Sequence, residues 1–151
     1  MPQQRLTVVQ LLPALNAGGV ERSVLEIGRA LVAAGHRSIV ISSGGRLQEK
    51  LTAQGSEHIT LDIGRKSLAT LRHIGTLRRL FSKLHPDIVH ARSRLPAWLA
   101  RLALRGMRAP KPHFVTTVHG LNSPSFYSSI LTRGERVICV SNAVRDYVLK
   151  H

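Results

Sequence analysis

Two spacings of apolar residues alternate along the chain. Short continuous apolar runs are typical of parallel strands covered on both faces, whereas apolar residues at every third or fourth position are typical of helices with one buried face. The runs predict strands near Leu6–Leu12, Arg37–Ser43, His58–Ile63, Asp87–Ala91, Phe114–Val118 and Arg136–Val140. The wider spacing predicts helices near Val20–Ala34, Leu47–Ala53, Leu68–Leu84, Ala97–Leu104 and Ala143–Lys150, with a further helical turn near Phe126–Leu131.

This alternation of strand and helix predicts a doubly wound, mainly parallel α/β sheet flanked by helices. We expect a single Rossmann-like domain over residues 1–151, because no internal repeat or linker interrupts the pattern. Ligands of such sheets bind outside the carboxyl ends of the strands. Here those ends carry Ala14–Gly19, Ser42–Arg46, His90–Arg94 and His119–Ser123.

The composition fits a packed domain without a membrane span. Hydrophobic residues make up 43% of the chain, and no apolar run reaches the length of about 18 residues that a spanning helix needs. Cys139 is the only cysteine, which excludes an intrachain disulfide and fits a reducing cytoplasm. Histidines outside the strand-end segments show no metal-ligand spacing, so we expect no metal site.

A glycine loop links the first predicted strand to the first predicted helix. Gly18 and Gly19 carry no Cβ, so backbone N–H groups at the helix start can approach an anion such as a phosphate. A tight turn without a ligand fits the same two glycines. A dehydrogenase site would need G-x-G-x-x-G here and an acid after the second strand, and both are missing.

The charge is strongly positive. The sequence has 22 Lys and Arg against eight Asp and Glu, a formal net charge of +14, which predicts an anionic partner. Nucleic acid, anionic lipid and phosphorylated substrates all qualify. Three Phe, two Tyr and one Trp are few for base stacking, and no zinc-finger spacing appears, so nucleic acid is the less favoured partner.

One basic segment, residues 65–85, is also amphipathic. Its apolar residues at 68, 71, 74, 77, 81 and 84 share one helix face, and it contains no acidic residue. Such a helix can lie on an anionic membrane; alternatively, the apolar face packs on the sheet and the charges are solvated. The predicted docking cations are Lys66, Arg72, Arg78, Arg79 and Lys83.

Five segments in register resemble the N-terminal domain of a GT-B glycosyltransferase of family 4, which includes bacterial lipopolysaccharide-core and related lipid-linked sugar transferases. The segments are Leu15–Arg22, Leu31–His36, His85–Arg92, Val115–Gly120 and Arg136–Asn142. The resemblance spans nearly the whole chain. It implies that this domain is one half of a GT-B fold and carries the acceptor side, while a second domain binds most of the donor nucleotide.

The resemblance also implies residue roles. Gly18, Gly19 and Glu21 would lie at the donor phosphates and sugar, and His119 would contact the donor sugar and stabilise the transition state. The acceptor would be bound by the residues that follow the fourth strand, which are His90, Arg92, Ser93 and Arg94. Ser141 and Asn142 would lie at the hinge side of the cleft.

Each role has a structural alternative. The glycines fit a simple turn, and an acid in the first turn complements the helix dipole. A strand-end histidine can be held by a hydrogen bond within the protein, and arginines near strand ends can be solvated. Ser and Asn before a helix are common N-caps.

The implied reaction is retaining transfer of a sugar from a UDP-, GDP- or ADP-sugar to a glycolipid or saccharide acceptor, with no obligatory cofactor or metal. The chain stops at His151, before the family's donor-binding domain. We therefore expect a chain that is inactive alone, with its donor domain missing or on a separate polypeptide. The single cysteine and the positive charge together predict a cytoplasmic protein that is peripheral to the inner face of the cell membrane. The alternative is a basic nucleic-acid-binding or partner-binding module.

Overall fold

The computed structural model describes residues 3–151 and contains one six-stranded parallel sheet flanked by helices. The strands are β1 Thr7–Leu11, β2 Arg37–Ser42, β3 Glu57–Thr60, β4 Ile88–Ala91, β5 His113–Val118 and β6 Arg136–Cys139. The helices are α1 Gly19–Ala33, α2 Gln48–Ala53, α3 His73–Leu84, α4 Arg94–Arg105 and α5 Asn142–Lys150, with 3₁₀ helices at Leu68–Arg72 and Ser128–Thr132. The predicted doubly wound α/β fold is confirmed.

The strand order places a crevice at the centre of the sheet. The order is β3-β2-β1-β4-β5-β6, so the chain leaves β1 in one direction and returns at β4 to continue in the other. The connections after β1 and β4 therefore diverge, and a ligand crevice opens between the carboxyl ends of these two strands. Gln10 of β1 lies directly opposite His90 of β4 in the ladder.

The two faces of the sheet are covered differently. Residues of α3, α4 and α5 join a large apolar core with the strands on one face. On the other face, α1 and α2 form a smaller core with β2 and with the segment that follows β1, and it includes no residue of β4, β5 or β6. Because side chains alternate along each strand, His90 and Thr117 point to this second face, where they form a polar cluster.

The helix predicted at Leu68–Leu84 is divided in two. Ser67 Oγ accepts a hydrogen bond from Ala69 N at 3.2 Å, and Thr70 Oγ1 donates one to Arg65 O at 2.6 Å. These bonds fold 68–72 as a 3₁₀ helix, and α3 begins only at His73. Leu68 and Leu71 consequently leave the buried stripe that the helical spacing predicted and are 87% and 51% exposed.

Other bounds shift by a few residues. The strand predicted at His58–Ile63 ends at Thr60, and the helix predicted at Ala97–Leu104 begins at Arg94. The helical turn predicted at Phe126–Leu131 is the 3₁₀ helix Ser128–Thr132. The earlier start of α4 matters for function because it places Ser93 and Arg94 at a helix N-terminus beside the crevice.

Arg78 fastens α3 to α4. Its Nε donates to Ala103 O at 3.1 Å, and its Nη2 donates to Leu102 O at 3.2 Å. A cation that binds the last carbonyls of a helix satisfies acceptors left without intrahelical partners. This guanidinium is not free to meet a membrane, so the docking role predicted for Arg78 is replaced by a structural one.

Candidate functional site

The glycine loop lies at the carboxyl end of β1. Gly18 adopts φ 147°, a conformation that side chains rarely permit, and Glu21 Oε2 lies 2.6 Å from the position that a Cβ would occupy. No side chain caps the start of α1. Its first N–H groups therefore remain available to an anion. The Glu21 carboxylate leans back over the loop at the positive end of the helix, as its structural alternative predicted.

Arg92 is buried in the crevice and is not a solvated charge. It is 4% exposed, its Nε donates to Gln10 Oε1 at 2.9 Å, and its Nη1 donates to Ser23 Oγ at 3.0 Å. Burial lowers the pKa of the guanidinium to about 10, so the group stays positively charged at neutral pH. These bonds link β4 to β1 and to α1.

His90 is a neutral histidine within the same cluster. Its Nε2 lies 2.6 Å from Thr117 Oγ1, and the residue is 7% exposed. Burial, together with the nearby charges of Arg92 and of a protonated His119, lowers the pKa of His90 to about 3. The structure thus gives His90 the hydrogen-bonded role that the sequence allowed as its alternative.

His119 has a ring nitrogen without a partner. Its Nε2 is buried and has no hydrogen-bond partner within residues 3–151. Burial lowers the pKa of this imidazole, and the positive charge of Arg92 lowers it further. A neutral imidazole can donate or accept one hydrogen bond at Nε2, so His119 is suited to contact a sugar hydroxyl.

A cavity of ≈ 310 Å³ opens beside His119, between the loop after β5 and helix α5. Its lining includes Gly120, Asn122, Ser123, Ser128 and Tyr147. Hydroxyl and amide groups on a partly apolar floor are typical of sites that bind sugars or other small polar molecules.

Ser93 and Arg94 follow Arg92 directly, at the start of α4. Ser93 precedes α4 but makes no side-chain cap bond, so its hydroxyl is free to bind a ligand. The Arg94 guanidinium stacks on the Tyr127 ring, 5.0 Å from its centroid, and Nη1 donates to Ser128 Oγ at 3.1 Å. Arg94 therefore faces the loop after β5, whereas Arg92 faces α1.

Ser141 and Asn142 are exposed at the start of α5. Ser141 Oγ accepts a hydrogen bond from Val144 N at 3.2 Å, which makes it the N-cap of the helix. A role at the hinge side of a cleft stays a prediction.

Three polar residues of the crevice were not singled out by the sequence reasoning: Gln10, Ser23 and Thr117. Gln10 is fully buried, and its Nε2 donates to Val24 O at 3.3 Å. A glutamine in the middle of an apolar strand is a detectable signal, because a buried amide needs a polar partner. No sequence signal identifies the Ser23 hydroxyl as the partner of Arg92, or the Thr117 hydroxyl as the partner of His90.

Two further properties describe residues 3–151. No group of three or more His, Cys, Asp or Glu side chains in this range is arranged to hold a metal ion. None of the helices within the described part is both long enough and apolar enough to span a bilayer.

The family model named Glycosyltransferase Family 4 matches residues 17–151. A glycosyltransferase from Rickettsia africae is similar in structure, with a TM-score of 0.83 and 33% identity over 99% of this chain and 40% of that protein. HepE of Anabaena, solved with UDP and glucose, has a TM-score of 0.74 at 15% identity, with 97% of this chain and 41% of HepE covered. No functionally curated protein matches the sequence.

A third solved structure, the sucrose-phosphate synthase of Thermosynechococcus elongatus, has a TM-score of 0.72 at 17% identity, with 97% of this chain and 45% of the synthase covered. The chain spans about two fifths of the length of these proteins. At such identities HepE and the synthase show the shared fold alone, whereas the family model covers most of the chain. The chain therefore belongs to glycosyltransferase family 4.

Proposed function

We propose that the chain is the acceptor-side half of a retaining glycosyltransferase that moves a sugar from a UDP-, GDP- or ADP-sugar to a glycolipid or saccharide hydroxyl. The observation that carries the proposal is a sugar-sized cavity at the carboxyl edge of the sheet, lined by both chain neighbours of His119, whose Nε2 has no partner within residues 3–151. Membership of family 4 supports sugar transfer, and the structure of HepE with UDP and glucose supports a UDP-sugar as one candidate donor.

The proposed reaction breaks the bond between the anomeric carbon and the donor diphosphate and forms a bond from that carbon to the acceptor oxygen. The leaving diphosphate oxygen takes the electron pair of the broken bond and gains negative charge, and it then accepts the proton that the acceptor hydroxyl loses. N–H groups at the start of α1 would stabilise this charge, and His119 Nε2 would donate a hydrogen bond to the transferring sugar. The family resemblance supports transfer without an obligatory metal or cofactor.

The donor nucleotide would bind mainly to a second domain. Because the chain spans about two fifths of the matched structures, we propose that transfer requires a donor half that is joined to this chain or supplied by a separate polypeptide.

The requirement for a donor half is tested by reconstituting a two-domain transferase. The chain is assayed alone and then fused to the C-terminal half of the Rickettsia africae glycosyltransferase, with radiolabelled UDP-, GDP- and ADP-sugars and an extract of bacterial glycolipids. We expect transfer only by the fusion, which we call the reconstituted transferase. Sustained sugar transfer by the chain alone would contradict the requirement for a donor half. A folded fusion that transfers no sugar would count against the proposed glycosyltransferase function.

We also propose that the protein works at the cytoplasmic face of an anionic membrane. Two exposed apolar residues, Leu68 and Phe126, lie on neighbouring segments, because Lys66 Nζ lies over the Tyr127 ring, 5.6 Å from its centroid. Arg133 stacks on Phe126, 5.5 Å from its ring centroid. Residues 65–85 and 119–134 contain no acidic residue, so positive charge surrounds the apolar side chains.

We name this the loop surface and define it by Leu68, Leu71, Phe126, Lys66, Arg72 and Arg133. Anionic lipid fits it better than a neutral partner does, because each cation near such a membrane contributes about 1 kcal/mol and the leucine and phenylalanine side chains can enter the apolar boundary. The exposed Arg79 and Lys83 of α3 extend the positive field. The loop that carries Phe126 begins at His119, so docking here would bring a lipid-linked acceptor to the site.

The expected result with vesicles is selective binding. The chain should pellet with phosphatidylcholine vesicles that contain phosphatidylserine, and less as salt rises. The double variant Leu68→Glu, Phe126→Glu should bind about 100-fold more weakly, because two apolar insertions are replaced by charges. Ile27→Glu, on the α1 side of the sheet, is the matched control and should bind like the wild type. Equal pelleting with neutral and anionic vesicles would exclude the proposal.

A further inference from the structure

A buried positive charge without a negative partner lies beneath the first turns of α1. The ion pairs within residues 3–151 are Arg37–Glu57, His113–Glu135 and Arg145–Asp146, and none of them includes Arg92. Arg92 is nevertheless 4% exposed. Buried charges in proteins are ordinarily paired, because a lone charge loses the solvation that water gave it. Arg92 therefore lacks a counterion that its burial calls for.

The guanidinium is held rigidly and keeps one nitrogen free. Gln10 and Ser23 accept hydrogen bonds from Nε and Nη1, and both acceptors are neutral. Nη2 has no hydrogen-bond partner within residues 3–151, and it is not among the polar atoms sealed from solvent without a partner. The planar guanidinium of Arg92 is thus held so that the unused N–H donors of Nη2 face accessible space.

The surroundings of Arg92 supply no negative charge. His90 and His119 are both kept neutral by burial and by Arg92 itself, which lowers their pKa values. The acid at this end of α1, Glu21, turns its carboxylate towards Gly18 and forms no ion pair with Arg92. The Nε2 of His119 is a second polar group near Arg92 that has no hydrogen-bond partner within residues 3–151.

We propose that Arg92 is the receptor for an anionic oxygen group, a phosphate or a carboxylate, of a molecule bound in the crevice between β1 and β4. Nη2 donates to this group, and the uncapped N–H groups of α1 supply further donors. The inference rests on the proposed function and narrows it: the enzyme selects a charged sugar derivative over a neutral one. Hydrogen bonds to charged groups are strong where water is excluded, so this contact separates charged from neutral ligands.

If Arg92 had a purely structural role, the expected results would differ from those of an anion receptor. A guanidinium that only fastened β4 to α1 would respond to no ligand, and its loss would lower stability alone. A receptor responds to anions whether or not it also contributes to stability. Arg92→Lys separates the roles further, because lysine keeps the charge but cannot donate in the planar fork.

The test is a titration of the ¹⁵N-labelled chain, followed at the Arg92 Nε–Hε signal by NMR. The probes are inorganic phosphate, glucose 1-phosphate, glucuronate, UDP and neutral glucose. We expect the signal to shift with the anionic probes and not with glucose. Arg92→Gln should weaken the binding of those probes by about 10- to 100-fold, as the loss of a charge-assisted hydrogen bond predicts. Arg78→Gln removes an arginine from the opposite face and should bind like the wild type.

The probes distinguish the sources of the anion. Tighter binding of glucose 1-phosphate or glucuronate than of UDP would assign the group to the acceptor, and the reverse order would assign it to the donor diphosphate. An Arg92 signal that stays unchanged with every anionic probe would overturn the proposal, and so would equal affinity in the wild type and Arg92→Gln. If Arg92→Gln does not fold, the wild-type titration decides. This result is independent of sugar transfer, which the reconstituted transferase measures separately.

Discussion

Replacement of His119 by alanine is expected to lower the turnover of the reconstituted transferase by about 100- to 1000-fold, as the loss of one preorganised donor at a developing charge does in other enzymes. Nε2 of His119 is buried and has no partner within residues 3–151. Because no contact inside the protein is lost at this atom, we expect the variant to melt close to the wild type.

The pH profile gives a second test of His119. Its pKa lies below the usual value, so the imidazole is neutral at pH 7 and stays neutral as the pH rises. Activity that depends on the neutral ring should persist above pH 6.5 and fall only as the pH drops through the lowered pKa. His73→Ala, at the start of α3, is the matched control and should leave turnover unchanged. Full turnover by His119→Ala would contradict the assigned role.

The fold and the family follow from local pattern. The six predicted strands and the long helices rest on the spacing of apolar residues within each segment, and that spacing reports burial directly. The family segments around Gly18–Gly19 and His119 are equally local. Such features can be predicted from a single sequence, because each depends on residues that are close together along the chain.

The part that could not be predicted depends on side chains that meet from distant positions. Gln10 and Arg92 are 82 residues apart in sequence and share a 2.9 Å hydrogen bond. Nothing in the segment around Arg92 distinguishes a buried guanidinium from a solvated one. Likewise, the sequence does not distinguish Arg78 from the other cations of the basic segment. Its role depends on hydrogen bonds to carbonyls of α4, which is distant in sequence.

The amphipathic helix over residues 68–84 was predicted from a helical spacing, but the structure is not one continuous α-helix there. Apolar residues at 68, 71, 74 and 77 fit one stripe, but Thr70 bonds the carbonyl of Arg65 and turns the first part into a 3₁₀ helix. Residues i and i+3 eclipse in a 3₁₀ helix, so Leu68 and Leu71 still share a face, but that face is exposed to solvent. Leu77 stays in the core, while Leu68 becomes one of the most exposed apolar side chains.

Acid should destabilise this fold more steeply than ordinary titration accounts for, and His90 is the main cause. In the folded chain its pKa is about 3, whereas in the unfolded chain it is near 6.5. Above pH 6.5 both states hold a neutral ring, so the group has no effect on stability. Below pH 6.5 the His90 side chain binds a proton in the unfolded state but not in the folded state. The free energy of unfolding therefore falls by up to about 1.4 kcal/mol per pH unit. The loss attributable to His90 is about 2 kcal/mol by pH 5 and continues towards pH 3.

The comparison of His90→Gln with the wild type isolates this effect. Glutamine has no titrating group and keeps a polar contact within reach of Thr117. Urea unfolding at pH 7.5 and pH 5.0 should show that the wild type loses about 2 kcal/mol more stability than the variant does over this interval. His58 and His119, whose pKa values are also lowered by burial, titrate in both proteins and cancel in the difference. His73→Gln should keep the wild-type dependence. If His90→Gln lost as much stability in acid as the wild type, His90 would not be the neutral buried histidine that its bond to Thr117 and the charge of Arg92 require.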